Sequence, residues 1–413
     1  MAKIVLPQAI RPGPAGWSGQ GRTVKFPDAF RVPPCRRSVR LSTLALRHFR
    51  NLGNQDLELP AEGVALIGDN AQGKSNFLEA IYYLETFRSF RGARDEQLIG
   101  FGEDVFRVAG SGVGGEDGDE RRVEVAAAFE RRGKRKKVSV DGSEPERLGE
   151  ALGRLSAVIF SPTDVELVSG GPSERRRFLD VVLSLNEPGY LSALQDYRRI
   201  LVRRNASLKE GHPATVVTAW DDGLTRAGAE VMKGRRSWVE EGSSTFGDYY
   251  ARVSDDARAR MTYRPSVDLS ETNGTDEFQE AFRAALAEAA GKDRRLGTTT
   301  VGPLRDDIRF KLDGAREGVD LRDYGSGGQK RTAALALRLV EARTIRERRG
   351  TMPLILLDDV FAELDGGRSE RVLELMEAEE TGQVVLTAPR ESDVRLKRDA
   401  LERWRISAGV ISS

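Results

Sequence analysis

The stretch that most restricts how this chain can fold is "GDNAQGKS" at residues 68–75, which fits the pattern GxxxxGK[ST]. It follows a short apolar run, "GVALI", that predicts a strand, and it opens a predicted helix, "KSNFLEAIYYLETF". Glycines let backbone N–H groups turn toward phosphate oxygens, and the positive end of the helix favours the same anion. The residues predicted to bind a nucleotide are Gly68, Asp69, Asn70, Ala71, Gln72, Gly73, Lys74, Ser75 and Asn76.

Lys74 and Ser75 have the most specific roles in this pattern. The lysine is expected to reach the β- and γ-phosphates as a catalytic group, and the serine hydroxyl is expected to ligate Mg²⁺. A P-loop of this kind also needs an acidic residue from a neighbouring strand. The run "LILLDD" supplies it, because Asp358 follows four apolar residues and is predicted to complete the magnesium shell. Asp359 is predicted to polarise the attacking water. ATP and Mg²⁺ are therefore the expected cofactors.

A second glycine-rich loop, "YGSGGQKR" at residues 324–331, lacks the GK[ST] ending and so is not another P-loop. It opens a predicted helix and resembles the SGGQ signature loop of the ATP-binding-cassette ATPases. In that family the signature of one protomer closes over the ATP held by its partner. The resemblance implies an ATP-dependent homodimer in which Asp365 belongs to the D-loop. The residues that it assigns to the γ-phosphate in trans are Ser326, Gly327, Gly328 and Gln329.

The order of strands and helices predicts an α/β fold: an ABC-type P-loop NTPase head with a mixed sheet, plus an inserted, mainly helical second lobe. The first strand, "VRLSTLALRHFRNL", alternates apolar and polar residues in a way typical of an edge strand. The predicted divisions are a flexible N-terminal extension (1–38), the first part of the ATPase lobe (39–172), a helical insertion (173–295) and the second part of the ATPase lobe (296–413). The extension is rich in proline and has one acid, Asp28.

Composition excludes several classes of protein. The chain has one cysteine and two histidines among 413 residues, which excludes an intrachain disulfide framework and a cysteine-based metal site. No apolar run reaches 18 residues, so no membrane partner is expected and the predicted location is the cytoplasm. The formal net charge is only +1, so any binding of nucleic acid must rely on local basic patches.

Further segments resemble the RecF family of bacterial recombination-mediator ATPases. These segments are "LRHFRNL", "FRSFRG", "FSPTDVELVSGGPSERRRFLD", "VGPLRDD" and "LLDDVFAELD". The resemblance implies ATP-induced dimers that bind duplex DNA and its junctions with single strands, and that act with RecO and RecR to load RecA. It also implies a weak, DNA-stimulated ATPase without nuclease activity, whose slow hydrolysis resets the complex. Leu304 and Thr387 stand where related ATPases usually carry histidine, and no role is assigned to either.

The predicted DNA contact is the basic turn that contains Lys134, Arg135, Lys136 and Lys137. Arginine clusters at 175–177, 198–199 and 203–204 are further candidates. Such runs are often solvated faces, and that reading stays open for each cluster. Two other classes of protein also stay open: the ATPase subunit of a transporter, and a chromosome-structuring ATPase of the SMC type. The interval between the two glycine loops is long for the first class, and the absence of sustained heptads disfavours the second.

Overall fold

The computed structural model describes residues 37–115, 121–254, 257–270, 272, 274–314, 318–360, 366–379, 382–394 and 401–413. Most of the predicted extension, and Asp365 of the predicted D-loop, lie outside these ranges. The strands are β1 Arg37–Arg47, β2 Gln55–Glu58, β3 Gly63–Ile67, β4 Val105–Gly115, β5 Arg121–Glu130, β6 Arg135–Val140, β7 Ala157–Phe160, β8 Ala259–Arg264, β9 Asp307–Leu312, β10 Val319–Asp320, β11 Thr351–Met352, β12 Leu354–Asp358, β13 Val384–Ala388, β14 Glu402–Ser407 and β15 Val410–Ser412. The helices are α1 Lys74–Thr86, α2 Leu148–Ala151, α3 Glu166–Ser169, α4 Pro172–Asn186, α5 Tyr190–Lys209, α6 Ala214–Thr218, α7 Asp221–Ser254, α8 Thr275–Leu296, α9 Leu321–Tyr324, α10 Gly327–Arg349 and α11 Gly366–Ala378.

A six-stranded sheet in the order β15-β14-β3-β13-β12-β7 forms the centre of the head. Every pairing in it is parallel except the β14–β15 hairpin. Strands β3, β13, β12 and β7 are short and mainly apolar, as expected where both faces are covered. Side chains of β12 alternate between two cores: Leu354 and Leu356 lie in one, and Ile355 and Leu357 in the other. The parallel sheet therefore separates the two cores.

The helices that follow the two glycine loops, α1 and α10, lie on opposite sides of the parallel sheet. Phe77, Ile81 and Leu84 of α1 are fully buried in the core that also contains the antiparallel sheet. Leu337 and Leu339 of α10 are buried in the other core, together with the helical lobe. Helix α1 is buried on nearly all sides.

The largely antiparallel sheet that contains β1 shows that one prediction was wrong. Strand β1 is not an edge strand, because it pairs with β4 along one side and with β2 and β11 along the other. The register with β4 shifts between Leu41 and Thr43, so the buried leucines lie at 41, 44 and 46 rather than at strictly alternate positions. A bulge of this kind explains why simple alternation misjudged the strand.

The inserted region is mainly helical, as predicted, but it also contains β8. This strand pairs with β9 in a three-stranded antiparallel sheet, β10-β9-β8, that the sequence did not predict. Residues 35–413 form one compact unit. The division of this unit into lobes at 172 and 295 stays a prediction. Of the helices that the structure describes, none combines the length and the apolar character of a membrane span.

Candidate nucleotide-binding site

The first glycine loop connects the end of β3 to the start of α1, as predicted. Gly73 has φ 115°, a conformation that favours glycine. A Cβ added to Gly68 would lie 2.6 Å from the carbonyl oxygen of Ile406 in β14. The loop backbone is thus packed too closely against the neighbouring strand for a side chain at position 68. Such close packing fixes the direction of the loop N–H groups, which a phosphate-binding loop requires.

Neighbouring segments hold the loop in place. The Gln72 side chain accepts a hydrogen bond from the backbone N–H of Ala408 at 2.6 Å, and its carbonyl accepts one from Gly409 at 3.0 Å. The Asn51 amide donates to the carbonyl of Ala71 at 3.3 Å. Because the side chain of Gln72 is engaged with the β14–β15 hairpin, a phosphate contact at this position would come from its backbone.

Lys74 is almost fully buried, and its ammonium lies directly over the loop. Its Nζ donates to the carbonyl of Gly68 at 2.8 Å and to that of Asp69 at 3.2 Å. The Oδ2 of Asp359 lies 3.8 Å from the same nitrogen. A buried ammonium at this point can move from the carbonyls to phosphate oxygens in the cradle.

Ser75 and Asp358, the two residues predicted to ligate magnesium, lie in contact. Ser75 Oγ donates to Asp358 Oδ1 at 2.8 Å, and Thr387 Oγ1 lies 3.1 Å from the same oxygen. Within the described residues, no group of three or more His, Cys, Asp or Glu side chains could hold a metal ion. The hydroxyl and single carboxylate fit Mg²⁺ bound mainly by phosphate oxygens and water, which is how this ion is usually held beside nucleotides.

The electrostatics of Asp358 also suit a cation. Burial, and the nearby charge of Asp359, raise the pKa of Asp358 above its ordinary value. Hydrogen bonds from Ser75 and Thr387 and the charge of Arg91 act in the opposite direction. Burial therefore disfavours the ionised carboxylate, and a divalent cation at Ser75 and Asp358 would stabilise it.

Asp359 has a distinct backbone conformation, with φ 45°. Its N–H donates to Thr387 Oγ1 at 3.0 Å, and its side chain is about a quarter exposed (26%). Thr387, to which the sequence assigned no role, thus lies between the two carboxylates and fixes the turn after β12. A left-handed conformation is accessible to aspartate and asparagine more readily than to most residues. The structure therefore aims the Asp359 carboxylate into the open part of the site, beside Lys74.

A polar cluster beside α1 was not predicted. The carboxylate of Glu79, fully buried, accepts hydrogen bonds from Arg50, Ser89 and Arg91. Although burial opposes it, these bonds hold the pKa of Glu79 below its ordinary value. Arg91 also donates to Asn76, whose amide donates to Asn51. The signals in the sequence were the run "LRHFRNL", which contains Arg50 and Asn51, and the run "FRSFRG", which contains Ser89 and Arg91. Asn76, predicted to bind the nucleotide, has its amide occupied by this cluster.

The second glycine loop forms the N-terminus of α10. Ser326 is the N-cap: its Oγ accepts from the N–H of Gln329 at 3.2 Å, and Gln329 Oε1 accepts from the N–H of Ser326 at 2.8 Å. This reciprocal pair is a capping box. Ser326 and Gly327 are exposed, and a side chain at Gly328 would collide with the guanidinium of Arg368. Since the Ser326 hydroxyl accepts from Gln329, its own hydrogen remains to be donated outward.

The basic turn joins β5 and β6 and is exposed, but its members differ. Lys136 faces inward: its Nζ donates to the carbonyl of Phe87 at 2.7 Å and lies 2.8 Å from Asp95 Oδ2. Burial lowers the pKa of this lysine, against the opposing effect of Asp95. Lys134 and Lys137 make exposed ion pairs with Glu96 and Glu144. Lys136 therefore stabilises the fold. Contact of the other cations with DNA stays a prediction.

The arginine clusters of the helical lobe are also largely structural. Arg175 is fully buried and donates to both carboxylate oxygens of Asp307, at 2.7 and 3.1 Å. Arg204 is buried between Asp221 and Asp293. Arg177 donates to the carbonyl of Ser89. Sequence alone could not separate these buried arginines from solvated ones, since their carboxylate partners are distant in the chain.

Comparison with known proteins places this architecture in a family. Residues 40–407 match the family model described as the RecF/RecN/SMC N terminal domain. The DNA replication and repair protein RecF of Synechococcus sp. (strain JA-2-3B'a(2-13)) is 37% identical over 357 residues, covering 82% of this chain and 88% of that protein. The RecF protein of Thermoanaerobacter sp. (strain X514) is 35% identical over 372 residues, covering 89% and 98%.

Solved structures agree. The recombination mediator protein RecF with ATP, from the RecFOR pathway, superposes with a TM-score of 0.82 at 32% identity, covering 91% of this chain and 97% of that one. An Smc head domain from Pyrococcus furiosus superposes with a TM-score of 0.52 at 18% identity, which shows the shared fold alone. The chain is a member of the RecF family and has the fold of an ABC-type ATPase head.

Proposed function

We propose that this protein is an ATP-dependent switch of DNA repair, in which two copies close around two ATP molecules. The observation that carries the proposal is the contact of Ser75 with Asp358 at the foot of the P-loop. It brings a hydroxyl and a carboxylate together beside Lys74, the set that a magnesium–nucleotide complex needs. The ATP-bound RecF structure supports ATP as the nucleotide. Mg²⁺ held by Ser75 and Asp358 would supply positive charge that offsets the charge of the phosphates.

The second glycine loop supports the dimeric part of the proposal. Ser326 and Gln329 hydrogen-bond to each other, and within the described residues neither bonds to the P-loop. Helix α10 belongs to the core on the opposite side of the parallel sheet from α1. An exposed helix N-terminus with an outward hydroxyl is suited to a phosphate. The simplest source of that phosphate is the nucleotide of a second copy.

The role in repair follows from the family. Relatives at 35–37% identity are DNA replication and repair proteins, and the RecF of the superposed structure belongs to the RecFOR pathway. We infer that the ATP-bound dimer acts in the cytoplasm on duplex DNA and at its junctions with single strands, and that with RecO and RecR it promotes loading of RecA. The exposed cations of the basic turn, other than Lys136, are candidate DNA contacts.

Hydrolysis is expected to be weak and to reset the switch, with DNA stimulating it. Asp359, rather than a longer glutamate, follows β12 as the residue expected to polarise the attacking water, and Thr387, rather than histidine, lies at the end of β13. A short carboxylate fixed by a threonine reaches less far toward a water molecule. We expect no nuclease activity.

The test is the molar mass of the protein in solution, measured by light scattering with Mg²⁺ and either ATP or ADP, with and without duplex DNA. A doubling of the mass with ATP alone or with ATP and DNA supports the proposal. Lys74→Met is expected to remain monomeric in every condition. A wild-type chain that stays monomeric when saturated with ATP on DNA would refute the dimeric switch.

A further inference from the structure

The outward face of the sheet formed by β8, β9 and β10 is basic. Alternation buries Met261, Ile308 and Phe310 in the core and turns the residues between them outward. In the register of the two strands, Arg260 lies opposite Lys311, Thr262 opposite Arg309, and Arg264 opposite Asp307. The outward cations of these two strands are Arg260, Arg264, Arg309 and Lys311.

A cleft of about 810 Å³ lies on this face. Four cations line it, Arg264, Arg305, Arg309 and Lys311, while Pro172 and Tyr324 contribute apolar surface. A neighbouring cleft of about 830 Å³ is lined by two cations and two acids, so it lacks this excess of charge. The basic character is therefore a property of this cleft and not of clefts in the lobe generally.

The two acids that line the cleft are already engaged. Asp307 is held by the buried Arg175, and Asp320 accepts a hydrogen bond from Arg309 at 2.9 Å. Among the residues that the structure describes, no carboxylate pairs with Arg264 or Arg305. These two exposed guanidinium groups leave the cleft with a surplus of positive charge.

The motif "VGPLRDD", which the nucleotide site does not use, builds one wall of this cleft. Asp306 is buried and accepts hydrogen bonds from the N–H of Ser266 at 2.8 Å and from the hydroxyl of Tyr263. The N–H of Gly302 donates to Ser266 Oγ at 2.8 Å, and the N–H of Arg305 donates to the carbonyl of Gly302 at 2.8 Å. This network fixes the turn before β9 and so places Arg305 at the rim.

We propose that this cleft, the β8–β10 cleft, binds the phosphodiester backbone of DNA, an inference that rests on the proposed function. Residues two positions apart on one strand, such as Arg309 and Lys311, are separated by about 6.6–6.8 Å. Cations spread along a sheet in this way face an extended polyanion, whereas a single phosphate requires donors that converge on one point. The open form of the cleft suits a backbone that passes across it.

The position of the cleft adds a consequence for the nucleotide. Tyr324 is 78% exposed on the cleft wall and lies two residues before Ser326. Asp320, which holds Arg309, also caps α9 by accepting from the N–H of Arg322 at 2.9 Å. DNA in the cleft would therefore contact the segment that leads into the second glycine loop. By linkage, any effect of bound DNA on dimerisation would be matched by an equal effect of dimerisation on the affinity for DNA.

The test compares an Arg264→Ala/Arg305→Ala double variant with wild type, by anisotropy of a labelled duplex in Mg²⁺ and ATP across a salt series. Loss of two phosphate contacts predicts weaker binding and a plot of log Kobs against log salt that is flatter by about two units at most. Arg295→Ala removes an exposed arginine near the end of α8 that does not line the cleft, and this control variant is expected to bind as wild type does. Light scattering of each variant with ATP reports dimerisation separately.

An unchanged affinity and salt slope for the double variant, with dimerisation intact, would contradict binding of DNA in the β8–β10 cleft. It would leave the proposed function in place. Replacing chloride by inorganic phosphate at equal ionic strength tests for a small-anion pocket. If phosphate displaces the duplex from wild type much more than chloride does, and the double variant loses that sensitivity, the cleft binds a free phosphate and the proposal is wrong. Failure of wild type to dimerise or to bind DNA would instead count against the proposed function.

Discussion

Ser75 Oγ donates a hydrogen bond to Asp358 Oδ1 at 2.8 Å, which joins the first turn of α1 to the end of β12. The strands that lead into the loop before Ser75 and end at Asp358, β3 and β12, are not neighbours, because β13 lies between them in the sheet. The contact exists because parallel strands end at the same edge, where the loops after β3, β12 and β13 converge. Thr387, from the end of β13, completes the group.

Substituting Asp358 by Asn is predicted to have opposite effects on ligand binding and on stability. Affinity for ATP in Mg²⁺ should fall by at least about tenfold, as when metal sites lose supporting groups. Without Mg²⁺ the variant should unfold at a higher temperature than wild type at pH 7.5, because it removes a buried charge beside Asp359. Calorimetric titration and thermal unfolding measure the two effects, and equal affinity in Mg²⁺ would exclude Asp358 as a metal ligand.

The pH dependence of Tm for wild type and Asp358→Asn tests whether the buried charge of Asp358 causes the difference in stability. The pKa of Asp358 is raised in the folded state, so its ionised form destabilises the fold at neutral pH. That destabilisation is relieved as the pH falls through the raised pKa toward the ordinary value of about 3.9. The difference in Tm between Asp358→Asn and wild type should therefore shrink as the pH is lowered from 7.5 toward that ordinary value. A difference that is constant over this range would rule out protonation of Asp358 as its origin.

Asp359→Asn is predicted to retain ATP-dependent dimers and to lengthen their lifetime. Asparagine tolerates the left-handed backbone at this position, so the turn after β12 should keep its shape. The substitution removes the negative charge that would polarise water, and so should slow the hydrolysis that releases the dimer. The rate of dimer dissociation after removal of free ATP measures this effect. Dissociation at the wild-type rate would contradict the role assigned to Asp359.

Arg175→Ala is predicted to destabilise the fold without acting on DNA directly. It leaves Asp307 as a buried carboxylate without its bidentate partner, which typically costs about 3–5 kcal/mol. Arg199→Ala is the matched control, since it removes an exposed pair with Asp196 that is worth about 1 kcal/mol or less. Denaturant unfolding should separate the two variants clearly. Comparable stability of both would show that the buried pair contributes little.

Ser326→Asp is predicted to keep the helix cap and to remove the contact with phosphate. Aspartate is as good an N-cap as serine and favours the positive helix end, so the thermal stability of the monomer should be unchanged or slightly higher. A carboxylate facing a triphosphate repels it, so dimerisation with ATP should be lost. Light scattering and thermal unfolding on one preparation measure both properties. Normal dimerisation of this variant would exclude Ser326 from the interface.

Local patterns were sufficient to predict the central elements. The apolar runs of β3 and β12 predicted two strands of the parallel sheet, and the GxxxxGK[ST] pattern predicted the loop between β3 and α1. These elements were predictable because both runs form short buried strands. The roles of Lys74, Ser75 and Asp358 in binding nucleotide and Mg²⁺ stay predictions.

Features that depend on partners distant in the chain could not be predicted. The bulge in β1, the strand β8 within a helical region, and the burial of Arg175 against Asp307 all arise from tertiary pairing. The same applies to Thr387, whose contacts with both carboxylates exist only when β13 lies beside β12. The arginine at position 175 belongs to a basic run, "ERRR", that looks solvated in the sequence.

Complementation between two inactive variants tests most directly whether each nucleotide is shared by two copies. Lys74→Met should lack a working P-loop, and Ser326→Asp should lack a working second loop, so each alone should be inactive as an ATPase. In a mixed dimer, the intact P-loop of one variant faces the intact second loop of the other, which restores one composite site.

ATPase activity of an equal mixture is the measurement. Since neither variant is expected to dimerise with itself, the dimers that form in the mixture are mixed, each with one intact site of two, and the mixture should regain up to about half of the wild-type rate. Activity in the mixture that equals the sum of the two inactive variants, at concentrations where wild type is dimeric, would contradict the shared site.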